Sequence, residues 1–156
     1  MAFGRGILTS RQIKIWSLQR KGLIESDIAR NLDVTRQTVH KALDIANDKI
    51  SEALLEAAQT NRIKVENINP TSGVLVGYSS AFRATTIVTF STKNKIQVWY
   101  KHKEHCEDCD QTKTCREILL AEAEERGIQL PEETNTISPS ELADLLFTRI
   151  VGRKIE

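Results

Sequence analysis

The hydrophobic pattern of the chain changes once, near residue 61, and this change limits the possible folds more than any other feature of the sequence. Residues 9–60 carry apolar side chains at helical spacing and contain no proline. Three helices fit this part. The first is capped by Thr9 in a capping-box pattern with Gln12 and ends at Gly22, the second covers about 26–31, and the third begins at Thr35.

From residue 62 to residue 101, β-branched and aromatic runs alternate with turn residues, as in a small antiparallel meander of three or four strands. The predicted strands cover 63–68, 74–78, 85–90 and 96–100, and the last two flank a hairpin loop of five residues, 91–95. Beyond the meander we predict a helix from about Cys115 to Arg126 and a last helix introduced by Ser138-Pro139. The predicted fold class is α+β.

We expect two parts. Residues 1–60 form a three-helix part with a long linker or dimerisation helix, and residues 61–156 form an α+β regulatory part that contains a cysteine cluster at 102–115. A chain of 156 residues can hold two small units that share a core.

Residues 25–43 carry the pattern of a helix-turn-helix unit. Such a unit needs a small residue where the two helices touch, and Ala29 provides it. Asp33 occupies the turn position where glycine is common, and aspartate tolerates a positive φ better than most residues. The side chains predicted to face inward are Ile28, Leu32, Val34, Val39 and Leu43.

Charge is distributed unevenly and favours a polyanion contact at the N-terminal end. Residues 1–43 hold eight Lys or Arg and three acids, whereas the whole chain has a net charge of +1. A recognition helix that begins at Thr35 would place Arg36 and Gln37 in the major groove to read bases. Hydroxyls and cations elsewhere would contact phosphates. The predicted DNA-contacting residues are Lys14, Arg30, Thr35, Arg36, Gln37, Thr38, His40 and Lys41.

Residues 9 to about 50 resemble the helix-turn-helix of the sigma-factor region-four and LuxR-type group, and especially the archaeal Tfx-type regulators, through LTSRQIKIWSLQRKGLIESDIARNLDVTRQTVHKAL. The resemblance implies sequence-specific binding to double-stranded DNA and transcription regulation. It covers a quarter to a third of the chain and does not extend to residues 61–156.

A heptad seam runs along the third helix, formed by Val39, Leu43, Ala46, Ile50, Ala53 and Ala57. One helix-turn-helix contacts few base pairs, so we expect a homodimer that faces two half-sites. The seam could form that dimer, or it could cover the meander within one subunit.

All three cysteines of the chain lie within ten residues, with the spacing C-x2-C-x5-C at Cys106, Cys109 and Cys115. Thiols gathered in this way in an intracellular protein bind a metal more often than they form a disulfide. Cys115 is expected to open a helix, whose free N–H groups and dipole would stabilise a negatively charged cluster.

An iron-sulfur cluster and zinc compete for this site, and free thiols are a third option. The protein groups that could serve as a fourth ligand are His102, His105, Asp108 and Asp110. The cysteine run also resembles those of FNR-type and WhiB-type iron-sulfur regulators, which implies a redox-sensitive cluster that controls DNA binding. Those families add a distant fourth cysteine, which this chain lacks.

No catalytic constellation and no phosphate loop is recognisable, so the chain is not expected to be an enzyme. It lacks a long apolar run and a signal-like start, so we expect a soluble cytoplasmic protein that does not contact a membrane. The sequence favours a regulator that senses redox state or iron through a [4Fe-4S] cluster. Two alternatives stay open: a regulator with structural Cys3His zinc and a small-molecule pocket, and an iron-sulfur redox protein with a helical interaction module.

Overall fold

A computed structural model describes residues 6–101 and 106–153, and within them the protein is mixed α+β, with five α-helices and one four-stranded antiparallel sheet. The elements are α1 (Ser10–Arg20), α2 (Glu25–Leu32), α3 (Arg36–Thr60), β1 (Ile63–Asn69), β2 (Val74–Ser79), β3 (Ala84–Ser91), β4 (Lys95–Tyr100), α4 (Thr112–Glu125) and α5 (Pro139–Val151). Short 3-10 turns lie at Cys106–Asp108 and Glu132–Asn135. None of the described helices combines the length and the apolar character needed to cross a bilayer.

The predicted capping box at the start of α1 is confirmed. The Gln12 amide donates to the Thr9 hydroxyl at 3.2 Å, and the Thr9 amide donates to the Gln12 side chain at 3.0 Å. Thr35 caps α3 through its hydroxyl, which accepts from the Thr38 amide. Asp33 adopts the left-handed conformation expected at the turn, with φ 53° and ψ 49°.

One apolar cluster holds α1, α2 and α3 together. Its buried members are Ile15, Ile28, Ala29, Val39 and Leu43, and Leu18, Leu23, Leu32, Val34 and Ala42 pack around them. All the inward-facing residues predicted for 25–43 belong to this cluster, so that part of the packing prediction is confirmed. The three helices form a unit that we call the head.

The sheet is a simple meander with strand order β1-β2-β3-β4. The predicted loop length between β3 and β4 is wrong: Ser91 pairs with Lys95, which leaves a loop of three residues instead of five. The register extends one residue further on each strand because Lys95 adopts a positive φ of 58° and closes a tighter turn.

The sheet lies between two helical layers. On one face, Leu75, Val88 and Phe90 pack against α3; on the other, Val74, Val76 and Ile87 pack against α4 and α5. Neighbouring residues of a strand point to opposite faces, so β2 and β3 supply both layers.

The heptad seam of α3 is buried within the chain. Val39 and Leu43 pack in the head, while Ala46 and Ile50 pack on the sheet, and none of the four exposes more than 2% of its surface. In the predicted continuation, Ala57 packs at the edge of the sheet-side core and Ala53 does not belong to it, while the fully buried positions are Leu54 and Ala58. A straight helix turns every 3.6 residues, so a 3.5-residue seam drifts off the packed face. The seam therefore covers the meander and is not free to form a dimer.

The predicted start of the fourth helix is also wrong. It begins at Thr112, and the Cys115 amide donates to the Gln111 carbonyl at 2.8 Å, so Cys115 lies inside the first turn and its N–H is not free. The last helix begins as predicted, with Ser138 as the cap, Pro139 in the first position and Glu141 completing a capping box.

Candidate functional site

The N-terminal tip of α3 lies on the surface of the head. Thr35 ends the preceding turn with an extended backbone and its hydroxyl caps the helix, so that the first turn of α3 points away from the core. The predicted DNA-contacting side chains on this tip are all exposed: Thr35, Arg36, Gln37, Thr38, His40 and Lys41. Lys14 on α1 and Arg30 on α2 are exposed as well. The tip is thus accessible to a partner.

Glu25 on α2 faces the tip of α3 and contacts two of its basic side chains. Its carboxylate lies 2.9 Å from His40 Nδ1 and 3.6 Å from Arg36 Nε. The hydrogen bond with His40 lowers the pKa of Glu25. The bond with Glu25, followed by the nearby Asp44 carboxylate, raises the pKa of His40 above its ordinary value. Acidic side chains of the head therefore contact Arg36 and His40, two of the residues predicted to contact DNA.

The other predicted DNA-contacting residues differ in whether they already have a partner within the chain. Thr35 and Thr38 share a hydroxyl contact of 2.8 Å, and Arg30 pairs with Asp27 at 2.6 Å. Among the residues that the structure describes, Lys14 and Lys41 form no ion pair, and both remain as exposed cations. Exposed, unpaired lysines bind phosphates as mobile point charges.

The three cysteines line one cavity of about 270 Å³ between the sheet and the two C-terminal helices. We call it the thiol cavity. Ile87 and Trp99 form its sheet wall, Leu119 its α4 wall and Phe147 its α5 wall. Ring centroids of Trp99 and Phe147 lie 5.5 Å apart, so that an aromatic pair faces the thiols.

The segment 106–111 is tied to the start of α4. Thr112 is the first residue of that helix, and its hydroxyl lies within hydrogen-bond distance of the Cys106 and Cys109 carbonyls. The pKa of the Cys115 thiol is raised by burial and, to a smaller extent, by the neighbouring Cys109 and Cys106. The three thiols therefore influence one another electrostatically, and burial keeps Cys115 in its neutral form to a higher pH.

The cysteines are free thiols. Within 6–101 and 106–153, no three His, Cys, Asp or Glu side chains come close enough to hold a metal ion as they stand. Asp108 and Asp110 are exposed and do not line the thiol cavity. His102 and His105, the other predicted fourth ligands, lie outside the described residues.

Sequence reasoning missed the α5 wall of the thiol cavity. Pro139, Ser140, Ala143 and Asp144 all line it, and Ser140 and Asp144 bring polar groups to it. These residues sit near the N-terminal end of α5, 24 or more residues beyond the last cysteine, and no spacing rule links them. Only the apolar period of α5 hinted that this helix packs on a partner.

Comparisons with protein-family models, with curated proteins and with solved structures find no match to this chain.

Proposed function

We propose that the protein is a cytoplasmic transcription regulator that binds specific sequences in double-stranded DNA through a helix-turn-helix formed by α2 and α3. The observation that carries the proposal is the exposed tip of α3, where Arg36 and Gln37 stand clear of the core. Arg pairs with guanine and Gln with adenine in the major groove. A tip buried in the fold would have ended this proposal, and it is exposed.

The packing of the head supports the same function. α2 and α3 share an apolar core and are separated by three residues, Asp33 to Thr35. Asp33 turns the chain in the left-handed conformation, and Val34 donates back to the Ala29 carbonyl at 3.0 Å. A rigid α2–α3 corner of this kind presents one helix tip in a fixed direction.

Selection from a pool of random duplexes, followed by fluorescence anisotropy on the selected sequence, tests the proposal. We expect Gln37→Ala to lose about 1–3 kcal/mol of affinity for the selected duplex and little for scrambled duplex. Gln59→Ala is the matched control, because Gln59 is exposed at the opposite end of the same helix. Failure to enrich any sequence, or equal losses in the two variants, contradicts the proposal.

We further propose that the thiol cavity is the sensing site and that Cys106, Cys109 and Cys115 hold a [4Fe-4S] cluster. All three thiols line one cavity, which fits a cofactor bound by three thiolates. Binding requires Cys106 and Cys109, on the turn before α4, to draw closer to Cys115. The cluster would supply a redox-sensitive group, and its iron would stabilise the thiolate forms that burial and the neighbouring thiols disfavour at Cys115.

The second candidate is a regulator with structural zinc and a small-molecule effector, and the lining of the thiol cavity favours the effector part. Beyond the thiols its walls are mostly apolar and aromatic, as in sites that bind small organic ligands. Metal analysis and the visible spectrum of protein purified without oxygen separate the two. A coloured protein containing iron and sulfide supports the cluster, whereas a colourless protein containing zinc supports this alternative.

We infer that the DNA-bound form is a homodimer, since one head reaches few base pairs. The seam of α3 is buried within the chain, so the dimer must use another surface. Light scattering of the protein with and without the selected duplex tests this inference. Two chains on a duplex with two half-sites support it, and a single chain on such a duplex contradicts it.

A further inference from the structure

We propose that α4 couples the thiol cavity to the head through a buried network of charged side chains at its C-terminal end. The proposal rests on the sensing site and DNA-binding head proposed above, and names the route between them. α4 is a continuous helix of 14 residues, about 20 Å long at 1.5 Å per residue. Its two ends contact different parts of the molecule.

The N-terminal end of α4 belongs to the thiol cavity. Cys115 lies in the first turn, and Thr112 binds the carbonyls of the turn that carries Cys106 and Cys109. A group that binds or modifies the thiols must reposition this turn. Since Thr112 is part of both the turn and the helix, the displacement passes to α4.

The C-terminal end of α4 contacts the head directly. Glu125 accepts from Arg20 Nη2 at 2.9 Å, and Arg20 is the last residue of α1. The same guanidinium lies 4.3 Å from the ring of Trp16, also on α1. Only 6% of the Arg20 side chain and 15% of the Glu125 side chain are exposed, so water screens this pair weakly.

Glu125 also binds the sheet. The backbone amide of Thr92 donates to it at 2.7 Å, and the Thr92 hydroxyl donates to the same carboxylate oxygen. One carboxylate thus joins α4, the β3–β4 loop and α1. A movement of α4 changes the support of α1 at the point where the head meets the sheet.

A second buried pair fixes the same end of α4 to the sheet. Glu122, fully buried, accepts from Arg126 Nε at 3.1 Å, and Arg126 donates to the carbonyls of Gly73 and Phe90. The Glu122–Arg126 pair therefore anchors this end of α4 to the sheet, and the direct ion pair between α4 and α1 is the one that Glu125 forms with Arg20.

The contact between Arg20 and Glu125 leaves some hydrogen-bonding groups of both side chains unused. The Nε and Nη1 groups of Arg20 are buried and have no hydrogen-bond partner among the described residues, whereas Glu125 Oε2 accepts only a 3.4 Å contact from the Lys93 amide. A buried donor without an acceptor is unfavourable. A small shift of α4 that brings Oε2 to Arg20 would gain a second bond, so the pair has two workable arrangements that events at the thiols can bias.

Hydrogen exchange measured by mass spectrometry on the full chain tests the route without DNA. The three thiols, the only cysteines of the chain, are either kept reduced or alkylated with iodoacetamide. In the wild-type protein we expect alkylation to change amide exchange in α4 and, by about fivefold, in α1. In Glu125→Gln, the change in α4 should remain and the change in α1 should disappear.

Glu124→Gln is the matched control, since Glu124 is the exposed neighbour on the same helix and should keep the wild-type response. Arg20→Gln interrupts the contact from the head side and should behave like Glu125→Gln. The proposal is overturned if alkylation does not change exchange in α1 of the wild-type protein, or if the α1 change survives in both Glu125→Gln and Arg20→Gln. It is also overturned if exchange in β3 changes as much as exchange in α1. Since no duplex is present, this result is independent of the test of DNA binding.

Discussion

The rings of Trp16 on α1 and Phe90 on β3 lie with centroids 5.2 Å apart and planes tilted by 55°, which joins the head to the sheet through an aromatic pair. The indole N–H of Trp16 also donates to the Pro70 carbonyl at 3.2 Å. Gly73 lies under the same ring, because a Cβ built there would be 3.2 Å from the indole. The head and the sheet therefore meet over a glycine that has no room for a side chain.

Gly73→Ala should destabilise the fold more than Gly127→Ala. Both glycines have a positive φ, 68° and 66°, but a Cβ at Gly73 would lie 2.6 Å from the Phe90 carbonyl oxygen, whereas one at Gly127 meets nothing within 4 Å. We expect about 1 kcal/mol for Gly127→Ala from backbone strain, and about 3 kcal/mol for Gly73→Ala because overpacking adds to it. Urea unfolding measures both, and equal losses would contradict the crowding argument.

Lys14→Ala and Arg36→Ala should weaken DNA binding in different ways. Lys14→Ala, which removes a predicted phosphate contact, should lower the affinity for every duplex alike and reduce the salt slope by about one. Arg36, assigned to a base, should lose about 1–3 kcal/mol on the selected duplex and relax specificity at one position. Anisotropy titrations at several salt concentrations measure both effects. A Lys14 variant with an altered sequence preference would refute the assignment of groove and backbone.

Duplex affinity should fall as the pH rises through the raised pKa of His40. Below its ordinary value of 6.5 the ring is positively charged, and Glu25 and Asp44 extend this charged form to higher pH. Any stability that the His40–Glu25 and His40–Asp44 pairs add to the fold is fully present below pH 6.5. It is lost as the pH rises through the raised pKa of His40.

His40→Gln should remove this pH dependence, and Gln59→Ala should retain it. Titration of the duplex across this range tests both variants. A wild-type affinity that does not change with pH would show that His40 lies away from the phosphates.

Glu125→Gln should destabilise the protein at neutral pH and much less in acid. Burial acts to raise the pKa of Glu125, but hydrogen bonds from Thr92 and the Arg20 guanidinium overcome it, and the pKa lies below the ordinary 4.5. A lowered carboxyl pKa contributes stability above 4.5 that is lost as the pH falls through the folded-state value.

The expected loss for Glu125→Gln is about 2 kcal/mol at neutral pH, since a charged hydrogen bond is replaced by a neutral one. Urea unfolding at about pH 7 and about pH 3 measures it, and the difference between the two proteins should be smaller at the lower pH. Glu124→Gln should match the wild type at both. A loss that is the same at both pH values would mean that packing, and not charge, explains the effect.

Cys106→Ser should abolish metal binding and leave the head folded. The head core contains no cysteine and none of the residues that line the thiol cavity. Metal content after purification without oxygen, with circular dichroism as the check on folding, gives the result. A variant that keeps a full complement of metal would exclude Cys106 as a ligand.

Much of the fold followed from local rules. The caps at Thr9, Thr35 and Ser138 depend on side chains that bind amides three residues away, and such contacts can be read from spacing alone. The strands followed from runs of β-branched residues, and the inward face of the head from the helical period. The loop of three residues before Lys95 escaped prediction because it depends on a positive φ at a lysine.

The course of α3 shows where the pattern alone was insufficient. A heptad seam is equally consistent with a partner helix and with an internal sheet, and its surroundings decide between them. Once α3 packs across the meander, the buried positions follow the 3.6-residue turn to Leu54 and Ala58.

By itself the sequence determined the helices, the strands, the exposed cations of the head and the grouping of three thiols, because each depends on residues close together in the chain. Only the tertiary structure decided that the thiols face Trp99 and Phe147, and that Arg20 meets Glu125 across 105 residues. Contacts between such distant segments depend on how the layers pack, and packing is a property of the whole molecule rather than of any local pattern.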